Sequence, residues 1–254
     1  MRLTPLGCSP SWPNAGGAGS GYLVEHDGTA VLLDCGSGVL AKLRRRCDYM
    51  GVDAVVITHL HADHVLDLVP YAAALSYSPR ALAGQAPRPR LIAPPGAADA
   101  FARLASAVGM SHDLIAGAFA LEEYDAHACL GVGPCGLAFR EVPHYVRTFA
   151  VAVAAGGRRL VFGADCAPSA ALVELARDAD LLLVEATLAE PEDGEPRGHM
   201  TAREAGELGR RAGARRVVLT HVSDELDHLR VRSEGTAGYG APVELAREGV
   251  ALTV

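Results

Sequence analysis

The chain has 254 residues, half of them hydrophobic and only 5% aromatic, and it carries a formal net charge of −7 at neutral pH. No Pro/Gly/Ser linker or charge block divides it, so residues 1–254 are expected to form one α/β domain with a sizeable buried core. The acidic balance argues against a broad basic face for nucleic acid, no apolar run is long enough to cross a bilayer, and the opening MRLTPLGCSP has no apolar signal-peptide core, which leaves a cytoplasmic location as the expectation.

Apolar patterning and turn residues predict strands at 3–6, 22–25, 30–34 and 54–57, with HDG at 26–28 as a hairpin turn. A helix is predicted after the GSG at 36–38, running through Leu40, Leu43 and Arg46. That GSG lacks the spacing of a phosphate-binding loop and reads as a tight strand-to-helix turn. Helices at 66–76 and 97–108 follow, with a strand at 91–93 closed by Pro94 and Pro95. Strands then come at 137–142, 149–154 and 159–162, the last two joined by AGG at 155–157. The rest reads as helix 169–177, strand 181–184, helix 201–212, strand 216–219, and a last helix and strand. Two sheets packed face to face with helices outside would bury both apolar faces. The six cysteines, Cys8, Cys35, Cys47, Cys129, Cys135 and Cys166, show no CxxC spacing and read as free thiols.

The segment VVITHLHADHVLDL places His59, His61, Asp63 and His64 directly after an apolar strand. Four metal-capable side chains in six residues are hard to explain as packing. His59 and His61 are two apart and face one side of an extended turn, while the adjacent Asp63 and His64 can serve a second ion. Imidazole and carboxylate together suit zinc, manganese or iron better than calcium or magnesium.

Four further sites repeat one pattern, an apolar strand followed by a residue that can bind or assist a metal. They are His144 in REVPHY, Asp165 in LVFGAD, Glu185 in LLLVEAT and His221 in RVVLTH. Strand ends gather at one edge of a sheet, so these residues can converge. Two metals roughly 3.5–4 Å apart need about three protein ligands each, a shared bridge, and room for water and substrate. His59, His61 and His144 can hold the first ion, and Asp63, His64 and His221 the second. Asp165 suits the bridge, because a carboxylate has two oxygens and its charge offsets two cations. A water shared by the ions would deprotonate near pH 7 and supply a bridging hydroxide nucleophile.

His199, in EPRGHMTAREAGEL, lies in a polar loop just before a helix whose predicted N-cap is Thr201, with Glu204 completing a capping box. A histidine at the mouth that is not a ligand can protonate a leaving oxygen. Glu185 can accept its other ring N–H and orient it. His26, His112, His127 and His228 lack such surroundings and read as surface or packing residues.

The series LGCSPSWP, SGYLVEHDG, DCGSG, THLHADH, VPH, GAD, EAT, GHMTA and LTH resembles the metallo-β-lactamase superfamily, in order and over nearly the whole chain. The resemblance implies a four-layer αββα sandwich with a dinuclear site at one edge of the two sheets. It also implies that Asp34 braces the site loops without binding metal. Asp165, EAT and GHMTA are most similar to the ribonuclease Z group and its small phosphodiesterase relatives. In that group the histidine matching His199 is the proton donor, the glutamate matching Glu185 stands behind it, and the residue matching Asp63 can also act as a base. Ribonuclease Z carries a long tRNA-gripping arm, and the segments between His144 and His199 are too short to hold one.

The expected function is therefore hydrolysis of a small, anionic phosphodiester, a cyclic nucleotide or another small nucleotide, with two divalent ions, zinc first and manganese or iron as alternatives. RNA 3′-end cleavage and acyl, thioester or lactone hydrolysis on the same scaffold are the competing enzymatic readings. A closed structural metal site without turnover would need no proton donor, so the Glu185 and His199 pair argues against it. No membrane partner is expected, and a homodimer is the expected assembly.

Overall fold

A computed structural model describes residues 1–127, 129–194 and 196–254. The strands are β1 (Arg2–Gly7), β2 (Gly21–His26), β3 (Thr29–Leu33), β4 (Ala54–Val56), β5 (Arg90–Ala93), β6 (Ala120–Glu123), β7 (Cys129–Val132), β8 (Cys135–Val142), β9 (Thr148–Ala155), β10 (Arg158–Phe162), β11 (Leu181–Glu185), β12 (Val217–Thr220), β13 (Glu244–Leu245) and β14 (Leu252–Thr253). They form two seven-stranded sheets, in the orders β14-β1-β2-β3-β4-β5-β6 and β13-β12-β11-β10-β9-β8-β7. Helices α1 (Val39–Arg46), α2 (Ala62–Val65), α3 (Leu68–Tyr77), α4 (Pro79–Leu82), α5 (Ala97–Ala107) and α6 (Leu114–Ala118) connect strands of the first sheet. Helices α7 (Ala170–Leu175), α8 (Ala202–Ala212) and α9 (His228–Tyr239) do the same for the second.

Strict alternation along the strands builds the sandwich. Val31 and Leu33 of β3, with Tyr22 and Val24 of β2, face Phe149, Val151, Leu181 and Leu183 of the second sheet in the central core. Leu23, Leu32 and Val55 point the other way, onto α1, α3 and α5. On the far side Leu182, Val184 and Leu219 meet Leu172, Ala205, Leu208 and Val231 of α7, α8 and α9. The result is the four-layer αββα arrangement expected from the sequence.

Strand direction positions the site. β3 through β6 are mutually parallel, as are β10 through β13. β8 and β10 are each antiparallel to β9 and so run the same way. The loops after β3, β4, β8, β10, β11 and β12 therefore open on one edge of the sandwich, which carries Asp34, the HLHADH segment, His144, Asp165, Glu185 and His221.

Local chemistry matches the elements at several predicted points. Asp27 and Gly28 both take positive φ (44° and 81°) in the β2–β3 hairpin, as a two-residue turn requires. The capping box is present, with Thr201 Oγ1 accepting from the Glu204 N–H at 3.3 Å and Glu204 accepting from the Thr201 N–H at 2.9 Å. Thr201→Ala is expected to cost about 1 kcal/mol in chemical denaturation.

The structure departs from the sequence reading in several places, among them the short helices α4 and α6 and a second closing strand, which the pattern does not predict. The strand predicted to end at Asp34 stops at Leu33, because Asp34 turns to φ 60° and aims its carboxylate sideways. The helix predicted over 66–76 begins one short helix earlier: α2 carries Asp63 and His64, and α3 starts at Leu68. β6 and β7 were not predicted, since ALEE and CLGV are short outer strands with little apolar alternation.

Candidate metal centre

The turn after β4 is shaped by glycine contacts. Cys35 N–H donates to the His64 carbonyl (2.8 Å) and Ser20 N–H to the Asp63 carbonyl (2.9 Å), pinning α2 to the loops after β1 and β3. A Cβ on Gly36 would lie 1.7 Å from the Asp63 carbonyl oxygen, so the first glycine of GSG serves close backbone approach. Gly36→Ala is expected to destabilise the fold by about 1–3 kcal/mol and to lower metal content, read by thermal melting and elemental analysis of the same sample.

Backbone strain concentrates on this edge. Asp34 (φ 60°), Ala164 (φ 55°) and His221 (φ 57°) occupy the left-handed region without being glycine, at a cost on the order of 1–3 kcal/mol each. Their hydrogen bonds show what the strain secures. Asp34 accepts from Thr58 N–H (2.8 Å), Thr58 Oγ1–H (2.9 Å) and His64 Nδ1–H (2.7 Å), and so braces the loop. Ala164 turns the chain ahead of Asp165, and the strained His221 brings Nε2 within 3.1 Å of Asp63 Oδ2.

A second set of partners fixes each imidazole. Thr58 Oγ1 spends its proton on Asp34, so it accepts from His59 Nδ1–H at 3.0 Å. Thr187 Oγ1 donates to Glu185 (2.6 Å) and accepts from His221 Nδ1–H at 2.8 Å. His144 Nδ1–H donates to the Gly198 carbonyl at 2.7 Å. In His59, His64, His144 and His221 alike, Nδ1 is committed outward and Nε2 faces the centre, as metal-binding histidines require.

These donors gather in two groups. His59 Nε2, His61 Nδ1 and His144 Nε2 converge, with 3.2 Å between the first pair and 3.1 Å between the second. Asp63, His64, Asp165 and His221 form the other group, all four buried. Oδ2 of Asp165 lies 3.3 Å from both His64 Nε2 and His221 Nε2 and 4.0 Å from His59 Nε2, so one oxygen reaches both groups. Nε2 of His64 is buried without a hydrogen-bond partner. A buried, unsatisfied imidazole nitrogen beside two carboxylates is an arrangement that a divalent cation would satisfy. The donor set fits divalent metal.

Electrostatics agree with ligand roles at most of these residues and differ at His64. Burial opposes the charge there, but the Asp165 and Asp34 carboxylates outweigh it and hold the imidazole above its usual range, favouring a positive charge at the spot a cation would take. Burial holds His59, His61 and His144 below the usual imidazole range, so they present neutral lone pairs. Burial opposes the charge on Asp63 and Asp165, but the facing histidines outweigh it and hold both below the usual carboxylate range. Burial also opposes charge on His199, yet its hydrogen bond to Glu185 and the Glu185 charge push it up to about 9. His199 Nδ1–H donates to Glu185 Oε1 at 2.8 Å, and Glu185 accepts as well from the N–H groups of Cys166, Thr187 and Met200.

Every predicted site residue thus lies on this one edge, and the four histidines set aside do not join the ligand groups. Sequence reasoning missed Thr58 and Thr187, which set two imidazoles; their only signal is a threonine beside a candidate ligand in THLH and EAT. The surface clefts beside β12, β13 and α9, between α8 and α9, and beside the β2–β3 hairpin are lined by none of the ligands. The donor set, not concavity, marks the site.

Residues 29–222 match the beta-lactamase superfamily domain. The probable metallo-hydrolase YhfI of Bacillus subtilis is 30% identical over 98% of this chain and 98% of its own. The crystal structure of YhfI superposes with a TM-score of 0.88 at 26% identity, covering 99% of this chain and 98% of that one. Ribonuclease Z of Myxococcus xanthus is 33% identical over 98% of this chain and 96% of its own. That alignment spans 300 positions against a chain of 254, so the relative carries extra segments. The short form of human tRNase Z shares the fold, with a TM-score of 0.78 at 22% identity over 100% of this chain and 99% of its own. No helix among the described residues is long and apolar enough to cross a membrane. Fold, ligand edge and sequence similarity together place this chain in the beta-lactamase superfamily, as a metallo-hydrolase of compact form that lacks the long arm.

Proposed function

We propose that the chain is a phosphodiesterase that uses two divalent ions, zinc in the first instance, on a small anionic substrate such as a cyclic nucleotide. The pairing of Glu185 with His199 carries the reading. The Glu185 carboxylate is 1% exposed and fully engaged, and it holds a partly exposed, protonated imidazole against the ligand groups. The His199 ring stands 4.9 Å from that of His144 and 5.7 Å from that of His221. With Nδ1 committed to Glu185, its free proton is on Nε2, where it can pass to a departing alkoxide oxygen.

His59, His61 and His144 would hold one ion, Asp63, His64 and His221 the other, with Asp165 between them. Two such ions supply an acidified water, with a pKa of roughly 7, and positive charge for a phosphoryl group. Asp63, held so far towards its ionised form, suits a ligand better than a proton acceptor. The relative named ribonuclease Z supports a phosphodiester bond, and the extra segments that it has and this chain lacks support a smaller substrate.

A panel of 3′,5′- and 2′,3′-cyclic nucleotides, dinucleotides, precursor tRNA, a thioester and a lactone, offered to zinc- and manganese-loaded protein, tests the reading. Turnover of the cyclic nucleotides or dinucleotides is the expected result. Preference for the acyl compounds, or cleavage of the precursor tRNA at its 3′ end, would overturn it.

A further inference from the structure

Two loops meet over the mouth of the site, joined by a carboxylate outside the ligand groups. Tyr145 follows His144 directly, and its half-exposed ring lies 5.0 Å from the His144 ring and 5.7 Å from the His199 ring. Its hydroxyl donates to Glu192 Oε1. The other oxygen of Glu192 accepts from the backbone N–H groups of Gly198 (2.8 Å) and His199 (3.2 Å). Gly198 in turn lies flat against the tyrosine, where an added Cβ would fall 2.3 Å from the ring. Its carbonyl accepts from His144 Nδ1–H.

The described residues between Pro191 and His199 form no helix or strand. The position of the His199 backbone is therefore set by hydrogen bonds on both sides of it, from Met200 N–H to Glu185 and from Leu188 N–H to the Met200 carbonyl on one side, and from the Gly198 and His199 N–H groups to Glu192 on the other. The other end of Glu192 is tied to the loop of a metal ligand.

We propose that Tyr145 and Glu192 form a latch that fixes His199 over the metal centre, as positioning residues that act through the proton donor. The consequence for catalysis rests on the phosphodiesterase reading above. A proton donor matters in proportion to the basicity of the leaving oxygen. A latch that places the donor must therefore matter more for an alkoxide than for a nitrophenolate.

The test has two arms on metal-loaded protein. In the first, amide hydrogen exchange at Gly198 and His199 is expected to speed up at least about tenfold in Glu192→Ala and to a lesser extent in Tyr145→Phe. In the second, kcat is measured on bis(p-nitrophenyl) phosphate and on a cyclic nucleotide, whose leaving group is an alkoxide. The ratio of the first kcat to the second is expected to rise at least about tenfold in Glu192→Ala. Tyr145→Phe keeps the ring against Gly198 but removes the hydroxyl, so it should shift the ratio in the same direction. The double variant should be no worse than Glu192→Ala alone, because both changes open one contact. Unchanged exchange, equal falls on the two esters, or fully additive losses would each overturn the latch. If the wild type cleaves neither ester, the phosphodiesterase reading fails, and the exchange arm still decides whether the latch exists.

Discussion

Replacing His199 with Ala is expected to lower kcat on a cyclic nucleotide by about 10²–10⁴ while metal content stays at the wild-type value. The structure separates the two effects. His199 spends its Nδ1 proton on Glu185, whereas the ligand histidines His59, His61 and His144 face one another, and His221 faces Asp63, through nitrogens that it does not occupy. Removing its ring leaves Thr187, the His221 partner, and the Gly198 carbonyl, the His144 partner, in place. The pH profile gives an independent check. His199 is pushed up to about 9, so its proton is present at neutral pH and lost as the pH rises through that value. Wild-type kcat should therefore fall on the alkaline side, and the variant should lack that limb. Full turnover by His199→Ala would remove it from the mechanism, and parallel loss of metal would reassign it as a ligand.

The sequence disclosed much of this site because its chemistry is local. HLHADH puts four donors in six residues after a strand, and GHMTA places His199 three residues before a capped helix. The convergence of His144, Asp165, Glu185 and His221 was legible too, since parallel strands must present their C-terminal ends on one edge. What stayed hidden depends on tertiary contact. Asp34, Ala164 and His221 adopt the left-handed conformation with none of the glycine or asparagine that usually signals it. Their strain is imposed by partners far away in the chain, such as Thr58 for Asp34 and Asp63 for His221. Thr58 and Thr187 gave only a weak signal, because a threonine beside a strand end ordinarily begins a turn. Glu192 was hidden for a similar reason, since an acidic residue in a Pro/Gly-rich loop reads as solvated surface until the fold brings Tyr145 to it. β6 and β7 lie at the outer ends of their sheets, where a strand buries too little to need a periodic pattern.

Asp165→Asn distinguishes a bridging carboxylate from an ordinary ligand, and its expected effect on metal is the largest of any single change. The amide keeps the shape and volume of the side chain, so the surrounding core is undisturbed, but it removes the one charge that faces both donor groups. Oδ2 of Asp165 is 3.3 Å from His64 and His221 and 4.0 Å from His59. Without that charge, two cations placed among neutral imidazoles would repel each other with only Asp63 to offset them. Metal content is therefore expected to fall from two ions per chain to one or fewer. Activity should fall by more than the ~10–100-fold that loss of an outer hydrogen-bond partner costs a metal site. Thr187→Val supplies the comparison: it removes the hydroxyl that accepts from His221 Nδ1–H and should show the smaller, outer-partner loss with metal content largely retained. Elemental analysis and kcat on the same preparations read both quantities. If Asp165→Asn retains two ions, the carboxylate does not bridge.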